Sequence, residues 1–97
     1  MTEKQERYQK DPAMVGREIV GEMILVPIRQ NSGDLESIYT LNATAARAWS
    51  LLDGRRTLAE ISTQLAEEFE VTPEQAAADL HELVEQLLSI QAIRQAV

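Results

Sequence analysis

The spacing of the apolar residues changes at Asn42. From residue 15 to residue 41 the apolar side chains alternate with polar ones or form short runs between turn residues, which is typical of β-strands. From residue 43 onward they recur every three or four residues, which is typical of amphipathic helices. A chain of 97 residues has material for one hydrophobic core. The strand region and the helical region are therefore expected to bury their apolar faces against each other.

The first region predicts three antiparallel strands joined by hairpins. The first strand covers residues 15–20 and the second covers residues 23–28. Pro27 has no N–H to donate within a sheet, so the second strand is expected to be bulged or to lie at an edge there. A run of turn residues at 31–34 precedes the third strand, over residues 35–41.

Capping signals divide the second region into three helices. Asn42 is a suitable N-cap for a helix over residues 43–52, which Gly54 is expected to end. Thr57 has capping-box spacing before the second helix, and Thr72 precedes a proline at the start of the third. The order β-β-β-α-α-α predicts one α+β domain over residues 1–97, of winged-helix-like architecture. Its first eleven residues are polar and are expected to be flexible.

Composition excludes several classes of function. Sixteen Asp and Glu outnumber nine Lys and Arg, for a net charge of −7, and the chain has no cysteine. His81 is the single histidine, so neither a zinc site nor thiol chemistry is expected, and we predict no metal and no cofactor. The chain has neither an apolar run long enough to span a membrane nor a signal peptide, which predicts a cytoplasmic protein with no membrane partner.

A winged helix often places its third helix in the major groove of DNA. Here that helix carries four acidic residues and no Lys or Arg. Bringing carboxylates to a phosphate-lined groove is repulsive, so we expect no nucleic-acid partner. The acidic side chains lie on the polar faces of the helices, where they are expected to be solvated rather than catalytic. The aromatic residues Tyr39, Trp49 and Phe69 occupy periodic apolar or strand positions, which predicts core packing.

The edge of the sheet is the remaining candidate for a binding site. An extended peptide can add a strand to an open edge through main-chain hydrogen bonds. If the third strand lies at an edge beside the third helix, a guest strand would occupy the cleft between them. The flank of that helix combines Leu83 with Asp79, Glu82 and Gln86, which suits a guest with aliphatic anchors and a Lys or Arg. The hypothesis fails if the protein's own N-terminal segment seals this edge.

A series of short motifs resembles the PqqD family, from residue 8 to residue 93. The motifs are VGREI at residues 15–19, YTLN at 39–42, the residues Ala45, Ala46, Arg47 and Trp49, LLDG at 51–54, and TLAEI at 57–61. The resemblance implies a recognition element for ribosomally made, post-translationally modified peptides. Such an element holds the leader of a precursor peptide as an added strand between its third strand and third helix. It presents that leader to a modifying enzyme, often a radical S-adenosylmethionine enzyme.

Carried onto this chain, the resemblance implies a peptide-binding set on the third strand and third helix. The set is Leu35, Glu36, Ser37, Ile38, Tyr39, Thr40, Asp79, Glu82, Leu83 and Gln86. Asn42, Trp49 and Gly54 are expected to be structural, as cap, core and turn.

The predicted function is that of a non-catalytic peptide chaperone. An alternative from another class is an assembly subunit that docks on a larger biosynthetic enzyme and binds no free peptide. An enzyme is not expected, because the sequence offers no activated nucleophile, metal cluster or cofactor loop. An open strand edge also permits a homodimer.

Overall fold

The computed structural model describes residues 6–28 and 39–96. Within these residues the chain forms six strands and three helices. The strands are β1 (Arg7–Lys10), β2 (Met14–Ile19), β3 (Glu22–Pro27), β4 (Tyr39–Leu41), β5 (Asp53–Thr57) and β6 (Ile93–Gln95). The helices are α1 (Ala43–Leu51), α2 (Leu58–Phe69) and α3 (Pro73–Ser89).

The predicted antiparallel sheet is present, in the order β2-β3-β4. A two-residue turn joins β2 to β3, and both of its residues, Val20 and Gly21, have positive φ angles, 49° and 80°. Such turns match the twist of a hairpin. Pro27 is the last residue of β3, the central strand, and not part of an edge strand, so the absence of its N–H interrupts the ladder at its end alone. The predicted third strand is described from Tyr39 onward.

A second sheet, in the order β5-β1-β6, corrects the prediction for both ends of the chain. Residues 7–10, expected to be flexible, form its central strand and pair antiparallel with β5 and β6. Tyr8 supplies the physical reason, because its side chain is buried in the core and anchors the strand. The C-terminal segment, whose apolar pattern is weak, closes the sheet through Tyr8↔Gln95 and Lys10↔Ile93. This second sheet adds three short strands, β1, β5 and β6, to the predicted β-β-β-α-α-α order.

The helices begin where the capping signals predict. The Asn42 side chain accepts a hydrogen bond from the N–H of Ala45 (2.8 Å), which fixes the start of α1. Thr57 and Glu60 form a reciprocal capping box at α2, with hydrogen bonds of 3.1 and 2.9 Å. Thr72 caps α3 through the N–H of Gln75 (3.1 Å).

Gly54 does not cap α1, which ends at Leu51 with Leu52 as its C-cap. It lies in β5 with a φ of +81°, where the pairing with β1 is irregular. A Cβ on this residue would meet the side chain of Gln9 at 3.3 Å, so glycine allows both the left-handed backbone and the close approach of the two strands.

The core lies between the helices and the inner faces of both sheets. Leu25 and Leu41 contribute from the β2-β3-β4 sheet, and Ile61, Leu65 and Leu87 contribute from α2 and α3. The predicted α+β, winged-helix-like fold is confirmed. None of the described helices combines the length and the apolar character needed to cross a membrane.

Candidate functional site

Strand β4 has an open edge among the residues that the structure describes. It pairs with β3 through Met23↔Leu41, Ile24↔Thr40 and Leu25↔Tyr39, and it is the last strand of its sheet. No described strand pairs with its other side. The N-terminal strand β1, which might have sealed this edge, lies in the other sheet between β5 and β6. Backbone groups along the outer side of β4 are therefore available to a further strand.

A groove faces this edge, with α3 as its opposite wall. Nearest the strand it contains a cavity of about 410 Å³. The residues around this cavity come from β4 and from the second half of α3 and its C-terminal end: Tyr39, Thr40, Leu41, Leu83, Gln86, Leu87, Ser89 and Ile90. Leu41 and Leu87 are buried, while Leu83 and Ile90 are half-buried against the core. This end of the groove has an apolar floor beside an open strand edge.

The groove continues along α3 into a second cavity, of about 340 Å³, at the start of α1. Leu83 and Gln86 line both cavities. The remaining lining residues come from α1, α2 and α3: Asn42, Thr44, Ala45, Ala48, Leu65, Asp79, Leu80 and Glu82. We call these two neighbouring cavities the β4–α3 groove.

The second cavity is acidic at its rim. Asp79 and Glu82 are exposed on α3 beside it. One oxygen of Asp79 accepts a hydrogen bond from Gln75 (2.9 Å), and neither carboxylate forms an ion pair with a described residue. The helices α2 and α3 contain no Lys or Arg. A cation of a bound molecule would thus meet uncompensated negative charge at this end of the groove.

The length of the groove suits a short extended peptide. Its α3 wall runs from Asp79 to Ile90, which corresponds to about 16 Å of helix. An extended chain advances about 3.3 Å per residue, so about five residues would cover this distance. A guest of that size would exchange backbone hydrogen bonds at β4 and reach the apolar floor with alternate side chains.

The structure brings together the predicted residues that it describes. Tyr39 and Thr40 line the apolar cavity, Asp79 and Glu82 line the acidic one, and the predicted pair Leu83 and Gln86 lines both. Four further members of the predicted set lie outside the described residues: Leu35, Glu36, Ser37 and Ile38.

Tyr39 differs from the expectation that all three aromatic residues lie in the core. Its side chain is 40% exposed and lines the groove, whereas Trp49 is buried and Phe69 packs half-buried against the core. Tyr39 belongs to the inner face of the sheet by its pairing with Leu25, but the edge position of β4 leaves it uncovered.

Sequence reasoning missed the contribution of α1 to the groove. Ala45 and Ala48 lie one turn apart, and their small side chains leave space beside Leu80 and Leu83 of α3. The signal for this in the sequence is a pair of alanines three residues apart. It becomes interpretable only once the packing of α1 against α3 is known.

Two polar contacts hold α1 and the sheets in position. The Arg47 guanidinium donates two hydrogen bonds to Glu68, at 2.8 and 2.9 Å, and so ties α1 to α2. Together with the amide of Gln64, this guanidinium lowers the pKa of Glu68 to about 2. Nζ of Lys10, on β1, lies 5.3 Å from the centre of the Trp49 ring and donates a hydrogen bond to the carbonyl of Leu52 (3.0 Å). Partial burial lowers the pKa of Lys10.

The described residues bring no three His, Cys, Asp or Glu side chains together in a way that would hold a metal ion. His81 is exposed on α3, with its Nε2 3.1 Å from a carboxylate oxygen of Glu85. It lies outside the β4–α3 groove.

Solved structures share this fold. One contains TbiB1 in complex with the TbiA(beta) leader peptide, with a TM-score of 0.73, 22% identity, and coverage of 89% of this chain and 94% of that one. Another contains lasso peptide synthetase B1 complexed with the leader peptide, with a TM-score of 0.75, 23% identity, and coverage of 91% and 98%. At these identities the similarity establishes the fold. A search of curated proteins finds no significant match.

The family comparison is more direct. Residues 22–93 match the model of the family described as coenzyme PQQ synthesis protein D (PqqD). The match includes β3, β4, all three helices and every described residue of the β4–α3 groove. Because it covers well over half of the chain, the protein belongs to the PqqD family, as its motifs predict.

Proposed function

We propose that this protein is a non-catalytic module that binds the leader of a precursor peptide and presents it to a modifying enzyme. The leader is held as an added β-strand along β4, inside the β4–α3 groove. The observation that carries the proposal is the open edge of β4, which faces an apolar groove in α3.

Backbone pairing and side-chain burial have separate roles in this mode of binding. Main-chain hydrogen bonds to the β4 edge supply affinity that depends little on the guest sequence. Alternate side chains of the guest point toward α3, where Leu83 and Leu87 offer an apolar surface. Burial of one or two aliphatic or aromatic anchors there selects the guest, because a few anchors carry most of the energy of such an interface.

The acidic cavity adds a preference for positive charge. A Lys or Arg that follows the anchors along the guest would reach Asp79 and Glu82. The carboxylates are exposed, so the pairing contributes more to specificity and to the rate of association than to affinity.

The comparisons support this assignment by analogy. The two similar structures each contain a leader peptide bound to the protein that resembles this chain. Family membership supports a role beside an enzyme that modifies peptides, and a radical S-adenosylmethionine enzyme is the class that we propose. Within this proposal the chain has no catalysis of its own, needs no cofactor, and works in the cytoplasm.

A titration of leader peptide with matched variants of α3 tests the proposal. The probe is a fluorescently labelled synthetic leader peptide with aliphatic anchors followed by a Lys or Arg, and binding is followed by anisotropy. Leu83→Arg places a charge on the groove floor and is expected to weaken binding by about tenfold or more. Leu88→Arg is the control, because Leu88 is exposed on the same helix and lines neither cavity.

Circular dichroism establishes that both variants fold. Equal affinity of Leu83→Arg and wild type would refute groove binding. Leader peptides carrying single N-methyl groups add a test of strand pairing, since each methyl group removes one N–H donor. For an added strand, methylation at every second position of the peptide is expected to lower the affinity. An affinity that no methyl group changes would contradict strand addition.

The same titration separates this function from that of an assembly subunit. An assembly subunit binds the purified modifying enzyme but no free leader. A peptide chaperone binds the leader when the enzyme is absent.

A further inference from the structure

Charge is distributed unevenly over the protein. Helices α2 and α3 carry seven acidic residues and no Lys or Arg: Glu60, Glu67, Glu68, Glu74, Asp79, Glu82 and Glu85. Five of the nine Lys and Arg lie instead on the β5-β1-β6 sheet: Arg7, Lys10, Arg55, Arg56 and Arg94. The protein therefore presents a basic sheet and an acidic pair of helices, although its net charge is −7.

Two of these five cations already have partners within the protein. Lys10 donates to the Leu52 carbonyl and lies over Trp49. Arg56 forms an ion pair with Asp53, at 2.6 Å.

The other three, Arg7, Arg55 and Arg94, are exposed and form no ion pair with any residue of the described ranges. We call these three residues the arginine face.

The sheet holds Arg7 and Arg94 on its outer side, opposite the buried Tyr8, and Arg55 is exposed on the neighbouring strand β5. Gln9 of β1 lies directly opposite Arg94 of β6, and Arg7 is two residues from Gln9, so Arg7 and Arg94 share one face. Arg7 also reaches the neighbouring strand, where its Nε donates to the Arg55 carbonyl at 2.9 Å. This contact orients the Arg7 side chain across β5 and leaves its terminal nitrogens without a partner among the described residues.

We propose that the arginine face docks on an acidic surface of the enzyme that modifies the bound peptide. This partner assignment rests on the proposed leader-binding function. Guanidinium groups pair with carboxylates through two parallel hydrogen bonds and lose less hydration than ammonium groups, so arginine is favoured at protein interfaces. Three exposed arginines on one sheet, without an ion-pair partner in the described part of the chain, complement the charge of an acidic partner surface.

The same charge distribution fixes the orientation of docking. An acidic enzyme surface attracts the β5-β1-β6 sheet and repels α2 and α3. The β4–α3 groove belongs to the other sheet and to the repelled helix, so docking through the arginine face leaves the groove accessible to the leader.

Charge reversal on matched arginines tests the proposal. Binding of the purified modifying enzyme to immobilised full-length protein is measured for wild type, Arg94→Glu, the double variant Arg55→Glu/Arg94→Glu, and the control Arg17→Glu. Arg17 and Arg94 are both exposed strand residues without an ion-pair partner in the described part of the chain, but Arg17 belongs to the β2-β3-β4 sheet. Circular dichroism melts establish that each variant folds.

The double variant is expected to weaken enzyme binding by about tenfold or more at low salt, with a smaller loss for Arg94→Glu and none for Arg17→Glu. Raising the salt concentration should weaken wild-type binding toward that of the double variant. Unchanged enzyme binding by the double variant overturns the proposal, as does an equal loss with Arg17→Glu.

Two further measurements identify other occupants of the arginine face. Sedimentation of wild type and double variant detects self-association through the acidic helices of a second copy. A labelled DNA duplex detects binding to nucleic acid. Arginine-dependent binding of either, without arginine-dependent binding of the enzyme, overturns the proposal.

Leader affinity, measured on the same samples, keeps the two proposals distinguishable. The double variant is expected to bind the leader as wild type does. If wild type binds no leader, the proposed function fails, whatever the enzyme measurement gives.

Discussion

Replacement of Gly16 by alanine tests how the β2-β3-β4 sheet is seated on the helices. Gly16 lies on the inner face of β2, opposite Leu25. A Cβ at this position would lie 2.8 Å from Nε1 of Trp49 and 3.3 Å from the sulfur of Met23. Trp49 is buried, with 4% of its surface exposed, so its ring has little room to move away. Gly16→Ala therefore forces the sheet away from α1.

The expected magnitude is a balance of two effects of opposite sign. Adding a methyl group to a packed contact destabilises a protein by about 1–3 kcal/mol. Gly16 has no positive φ angle, so alanine also restricts the unfolded chain, which stabilises the fold by about 0.4–1 kcal/mol. Steric overlap wins, and the net loss is about 1–2 kcal/mol, which lowers the melting temperature by roughly 5–15 °C for a domain of this size.

Thermal and urea unfolding, followed by circular dichroism, measure this loss. Glu18→Ala, an exposed position on the same strand, is the control and should change the free energy of unfolding by less than about 0.5 kcal/mol. A double-mutant cycle with Trp49→Phe identifies the contact. The smaller ring makes room for the new methyl group, so the stability loss of the double variant should be smaller than the sum of the two single losses. A Gly16→Ala protein as stable as wild type would refute the close approach, and fully additive losses would assign the effect to another neighbour.

Three further predictions concern charge and the open edge. Because the pKa of Glu68 is lowered to about 2 from an ordinary value of 4.5, its ion pair contributes stability above about pH 4.5 that is lost as the pH falls toward 2. The free energy of unfolding should therefore fall less steeply with decreasing pH in Glu68→Gln than in Glu67→Gln. Glu67 is the adjacent residue and has no ion pair among the described residues. Glu82→Gln should lower the affinity for a basic leader by a few-fold, and it should reduce the dependence of that affinity on salt concentration in anisotropy titrations. Bound leader should slow amide hydrogen exchange at Tyr39–Leu41 and leave Met14–Ile19 unchanged; protection of Met14–Ile19 instead would place the guest at the wrong edge.

The elements that the sequence predicts well are those fixed by local chemistry. Each helix begins at a residue whose side chain caps the nearby N–H groups, as at Asn42, Thr57 and Thr72. The first two strands follow from alternation and from the glycine that reverses the chain between them. These signals lie within a few residues of the structure that they specify, so no knowledge of the rest of the fold is needed.

The β5-β1-β6 sheet could not be predicted in this way. Its strands have three to five residues, too few for alternation to emerge, and its central pairing joins Tyr8 to Gln95 at the opposite end of the chain. Gly54 shows the same limit, because a glycine after a helix signals a left-handed residue but does not distinguish a helix cap from an irregular strand. In both cases the deciding contacts are distant in sequence.

The candidate site divides along the same line. Asp79, Glu82, Leu83 and Gln86 follow from the apolar stripe of one helix, whose flank is set by helical geometry. The α1 wall and the exposure of Tyr39 depend on how separate elements pack, and neither has a local signal.

Among residues 6–28 and 39–96 the β2-β3-β4 sheet has two open edges, and their surroundings favour β4 as the edge for the proposed guest. Beside β2, the residues from Gly16 to Ile19 are all exposed and include the charges of Arg17 and Glu18, so a strand added there would gain backbone hydrogen bonds but little burial. Beside β4, α3 supplies a second wall, and the guest side chains would leave water for an apolar floor. Main-chain hydrogen bonds contribute about 0.5–1.5 kcal/mol each and would form at either edge, whereas apolar burial contributes about 25 cal/mol per Å² and is offered beside β4. Selectivity between the edges therefore comes from the helix rather than from the strand.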